Sequence, residues 1–147
     1  MNEDLKVKGH ISIVVKDKDG NIKDTREIDN LVVTSGKTYL ATWLAAATQA
    51  SNFMSYVGLG TGTTPASASD TALQNPLASY VQGVLSSTSN SWINTCTFGA
   101  GVNTGAITEA GLFSSAVPGT MFAHQVFTVV TKGAADSMLV IWTVSFS

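Results

Sequence analysis

The stretch Met138-Leu-Val-Ile-Trp-Thr-Val-Ser-Phe146 decides how this chain folds. Met138, Val140, Trp142, Val144 and Phe146 recur at every second position, the period at which side chains share one face of a β-strand. The run has a strand's length and falls far short of the ~18 residues of a membrane helix. Similar runs precede it between turn signals: 79–85, 92–98, 107–113 and 121–131. Many short strands at near-regular spacing predict a mainly β protein, a β-sandwich for which a jelly roll is one possible connection.

Further upstream the pattern changes. Residues 58–76 are rich in Gly, Thr, Ser, Ala and Pro and too poor in bulky apolar groups to predict regular structure. Before them, Tyr39, Leu40, Trp43, Leu44 and Ala47 fall on one helical face, with Thr34 or Ser35 placed to cap the start. This predicts a single amphipathic helix near 35–47. At the N-terminus, Ile11, Ile13 and Val15 alternate with Ser12, Val14 and Lys16, and Asp17-Lys-Asp-Gly-Asn21 supplies the turn into a polar returning strand. The expectation is an N-terminal β-hairpin.

Charge divides the chain near the same place. Of 147 residues only 12% are charged, against a usual ~25%. Residues 1–37 hold seven of the eight basic and seven of the ten acidic side chains. The other 110 residues carry only Asp70, Glu109, Lys132 and Asp136, while 16 Ser and 18 Thr supply polarity to the whole chain. The expected organisation is a charged hairpin segment, 1–33, followed by a Ser/Thr-rich sandwich domain, 34–147. A surface so short of charge favours association, so a homo-oligomer is expected. Lys16, Lys18, Lys23 and Arg26 become the candidates for docking a partner, and a chain beginning at Asn30 should lose that docking yet still fold.

Several function classes are disfavoured. A net charge of −2 without clustered Lys and Arg argues against nucleic acid. No apolar leader follows Met1 and no run suits a membrane, so synthesis in the cytoplasm is expected. The lone Cys96 allows no internal disulfide.

No motif for chemistry is complete. Ser35-Gly36-Lys37-Thr38 ends like a phosphate-binding loop, but Leu31 stands where its first glycine belongs. Gly58-Leu-Gly-Thr-Gly62 lacks the third glycine of a dinucleotide loop and reads as a turn leaving a short strand around Tyr56-Val57. Asp17, Asp19 and Asn21 share the two-residue spacing of a calcium loop, without its glycine and glutamate positions. His10 and His124 have no second ligand at metal-binding spacing. No serine sits in a nucleophile elbow, and a pairing of Cys96 with His124 is left open by the sequence. Glu109, inside a strand run, either caps a turn or pairs across an interface. The reading is therefore no enzyme, no cofactor and no metal.

Taken in order, Asn30-Leu-Val-Val-Thr-Ser-Gly-Lys37, Tyr56-Val-Gly-Leu-Gly-Thr-Gly-Thr-Thr-Pro65, Asp70-Thr-Ala-Leu73, Ile107-Thr-Glu-Ala-Gly-Leu-Phe113 and Trp142-Thr-Val144 carry a resemblance. Over roughly residues 30–147 the chain resembles small virion structural proteins of tailed bacteriophages, of the capsid decoration (cement) or tail-fibre-like kind. The resemblance implies a place in the virion, after synthesis in the bacterial host cytoplasm. It also implies partners among virion proteins, and it brings no catalytic residues. A decoration protein bound to the major capsid protein is the leading expectation, and a tail or fibre-base component bound to tail proteins is the alternative. A carbohydrate-binding module, with Trp43, Trp92 or Trp142 stacking on sugar, is the second alternative.

Overall fold

The computed structural model describes residues 5–48, 53–116 and 119–147. Among the described residues nine antiparallel strands and one helix make up the fold: β1 (Val7–Lys16), β2 (Ile22–Val32), α1 (Thr34–Ala45), β3 (Tyr56–Gly60), β4 (Pro76–Gln82), β5 (Val84–Thr88), β6 (Ser91–Phe98), β7 (Gly105–Phe113), β8 (Met121–Lys132) and β9 (Ser137–Phe146). The strand order is β4-β3-β7-β8-β2-β1-β9-β6-β5. This is the expected mainly β sandwich with one helix and an N-terminal hairpin, and it is nearly closed into a barrel.

Two elements turn the corners. β2 pairs along most of its length with β1, and then its last residues, Leu31 and Val32, pair with His124 and Ala123 of β8. Where β2 and β8 diverge, Arg26 donates to the carbonyls of Thr128 and Val129 at 3.1 and 3.0 Å and so ties the strands together. The other corner lies between β4 and β5. The expected single strand 79–85 is broken at Gly83, whose N–H donates to Ser55 O at 2.8 Å. β4 then pairs with β3, and β5 with β6.

The core fills the space between the two halves. Ile11, Ile13 and Val15 of β1 and Met138, Val140, Trp142 and Val144 of β9 face Val57, Leu59, Ile107, Leu112 and Phe122, all at most 1% exposed. The period-two reading of β1 and β9 thus gives the buried faces directly. The proposed boundary at residue 33 does not survive. β1 lies between β2 and β9 in the middle of the sheet, so the charged hairpin is built into the sandwich. The inward residues of β1, Ile11, Ile13 and Val15, are at most 1% exposed, while those of β2 are half-buried.

The helix begins without a side-chain cap. Val33 is its N-cap residue, and neither Thr34 nor Ser35 caps it. Instead the Thr34 N–H donates to Ala68 O at 2.8 Å, and the Ser35 hydroxyl to Met121 O at 2.8 Å. The helix is held by its neighbours. Gly36 permits that approach, because a Cβ there would lie 2.6 Å from the Phe122 Cα. Of the predicted stripe, Tyr39, Leu40 and Trp43 are half-buried, Leu44 is 64% exposed, and Ala47 lies beyond the helix end.

Candidate functional site

The most concentrated chemistry lies on the outer face of the sheet that contains β3, β7 and β8, beneath loop 61–75. A register shift in β7 between Ile107 and Glu109 changes which residues point inward. Ile107, Ala110 and Leu112 join the core, while Phe113 joins a second small cluster with Val33, Leu73 and Met121. Leu73 is the loop's apolar anchor.

Its polar anchor is a line of three side chains. His124 Nδ1 lies 2.7 Å from Asp70 Oδ2, and His124 Nε2 lies 2.8 Å from Glu109 Oε2. Two protons shared along this line satisfy both contacts. Glu109 also accepts backbone N–H groups from Gly62 (3.1 Å), Asn75 (2.8 Å) and Gln74 (3.1 Å). Burial alone would raise its pKa, but the N–H groups of Asn75, Gln74 and Gly62 together with the His124 ring outweigh that and hold it below the ordinary value. Asp70 shows the same balance: burial is outweighed by the Ser67 N–H and His124, and its pKa is lowered.

This geometry explains the glycines. Gly58 and Gly60 lie within β3 itself, so the turn read there from sequence is a strand. A Cβ at Gly60 would sit 2.6 Å from Asn75 O and collide with Glu109 Oε1. The loop closes over the carboxylate because Gly60 and Gly62 carry no side chain. Thr108 completes the seal by donating to Gly62 O at 2.6 Å.

A carboxylate–imidazole–carboxylate line resembles acid–base machinery, but here loop 61–75 covers it. Glu109 and His124 are fully buried, and only the Asp70 side chain reaches the surface, at 24%. Cys96 does not join it. The thiol is buried beside Val81 O, 3.5 Å away, and desolvation pushes its pKa up to about 12. Among the described residues no cluster of His, Cys, Asp and Glu suits a metal. The line works as a latch that fastens loop 61–75 to the sheet. Sequence spacing could not have joined residues 70, 109 and 124, although the resemblance motifs contain two of them.

Two of the four docking candidates are engaged within the chain. Lys16 and Lys18 are accessible at one end of the hairpin. Lys23 is committed to Asp136, 2.6 Å away, and Arg26 to Asp24 and β8. Trp142 is completely buried and cannot stack on a sugar. Trp43 and Trp92 are half-buried around Phe53, with ring centroids 4.9 and 5.7 Å away, in an apolar groove of about 640 Å³ beside the helix.

The remaining charges are also withdrawn. Lys132 is 1% exposed and donates to Gly99 O at 2.8 Å; Asp136 is 5% exposed. Together with Glu109 and the latched Asp70, these are all four ionic residues after position 37. The surface contributed by 38–147 therefore consists almost wholly of hydroxyls, amides and apolar groups.

No family model matches the chain, and neither a curated protein nor a solved structure does.

Proposed function

We propose that the protein is a non-enzymatic structural subunit of a tailed-bacteriophage particle, a decoration protein bound to the outside of the capsid shell. One observation carries this reading: 110 residues of sandwich enclose or latch every ionic group they possess. Ionic groups are costly to strip of water, whereas aliphatic surface favours being covered and a neutral hydroxyl is covered at far lower cost once it is hydrogen-bonded. A surface of that kind suits repeated modest contacts, in which many copies supply the hold. The buried histidine and Glu109 support a structural role, since they bind a loop of the same chain and only Asp70 of the line reaches the surface.

The test is quantitative mass spectrometry of intact particles together with re-binding of purified protein to capsids stripped of it. Hundreds of copies per particle and saturable re-binding are expected. A copy number in the single digits or low tens would place the protein in the tail and overturn the capsid assignment.

A further inference from the structure

The two ends of the sheet are guarded unequally. β4 begins with Pro76, and side chains of β6 and of the connection after it reach its backbone. Asn103 accepts the Ser79 N–H at 3.0 Å and donates to Ser79 O at 2.6 Å, while the Cys96 thiol reaches Val81 O. Such plugs block further strand pairing.

β5, Val84-Leu-Ser-Ser-Thr88, ends the sheet at the other side with β6 as its one ladder partner. Four of its five residues are exposed, and Val84 reaches 74%. It carries no lysine, no proline and no charged side chain, and among the described residues no side-chain hydrogen bond reaches its backbone. Its outer face continues without charge across β6 and β9, where Ile93, Thr95, Ile141 and Thr143 follow in register. The charged strands β1 and β2 lie beyond β9.

We infer that β5 pairs antiparallel with β5 of a second copy, making one continuous sheet across a two-fold axis. The inference goes beyond the particle assignment and does not depend on it. An unguarded edge offers main-chain hydrogen bonds to any extended strand. A second copy supplies that strand in equal amount and symmetrically. Charge favours this occupant: the meeting faces carry no ionic group, so nothing repels and no ion loses water, while the two charged hairpins stay on the far sides. With the axis at the strand centre, Ser86 lies opposite Ser86 of the second copy, and Val84 lies opposite Thr88. Directly opposed Cβ atoms in an antiparallel pair come within ~4.5–5.5 Å, close to disulfide reach.

The test uses the full chain. Wild type should sediment as a dimer. Ser86→Cys should cross-link to a dimer under mild oxidation, because buried Cys96 offers no competing reactive thiol. Thr25→Cys, exposed on the charged hairpin, should not cross-link. Val84→Lys should weaken dimerisation by roughly tenfold or more while leaving the melting transition in place, since the position is exposed in the single chain. A wild-type monomer or trimer, a folded Ser86→Cys that does not cross-link, or a Val84→Lys dimer of unchanged strength would overturn the pairing. A monomer that still coats capsids would remove only this inference, whereas a dimer that ignores capsids would remove only the particle assignment.

Discussion

Glu109 Oε2 and His124 Nε2 lie 2.8 Å apart with both side chains fully buried, and the same carboxylate holds three backbone N–H groups of loop 61–75. Glu109→Gln keeps the shape and removes one acceptor. Whichever way the amide turns, its NH2 group faces a backbone N–H. Leaving a buried donor unsatisfied beside a broken ionic contact should cost about 2–4 kcal/mol. Urea unfolding at neutral pH checks this through the shift of the midpoint at constant slope.

Acid should release the same latch. Glu109 and Asp70 both titrate below their ordinary values of 4.5 and 3.8. Their folded-state pKa values are depressed, so their contribution is complete above the unfolded values and is lost as pH falls through the folded ones. The melting temperature should therefore hold steady down to about pH 4.5 and then decline. In Glu109→Gln the decline should be shallower, as differential scanning calorimetry across pH would show.

His10 should behave in the opposite sense. Asp29 and then Glu27, at 2.9 and 2.5 Å, raise its pKa above 6.5 against a smaller effect of burial. Stability from this contact is full below 6.5 and fades as pH rises through the raised value. Because His10 is well exposed, the gain should stay below about 1 kcal/mol. NMR titration of the imidazole should place the midpoint above 6.5, and Asp29→Asn should move it down.

Gly36→Ala tests how the helix is seated. Alanine favours an isolated helix by roughly 0.5–1 kcal/mol, but here its Cβ meets the backbone of Phe122, which cannot turn aside as a side chain would. Overpacking costs typically ~1–3 kcal/mol, so a net loss is expected. Thermal unfolding of the variant decides the sign.

A chain beginning at Asn30 should not fold cooperatively, contrary to the sequence-based expectation. It lacks β1, the strand between β2 and β9, and with it the buried Ile11, Ile13 and Val15. Circular dichroism should show no cooperative melting transition.

What the amino-acid order by itself determined is the local periodicity. Alternation marked β1 and β9 and their buried faces, Asp17–Asn21 marked the hairpin, and the 3.6-residue stripe marked α1. These signals arise between neighbouring residues, so they are present before any tertiary contact. Only the tertiary structure decided where each element sits. The mixed charge of β1 and β2 suggested an appendage, yet alternate residues let one face carry charge while the other fills the core. The helix start was seated from outside, because Ala68 O takes the Thr34 N–H and Met121 O takes the Ser35 hydroxyl, both from distant parts of the chain. Asp70, Glu109 and His124 became one line because a bulge in β7, a loop closing over β3 and the register of β8 converge, and such convergence leaves no periodic trace in the sequence.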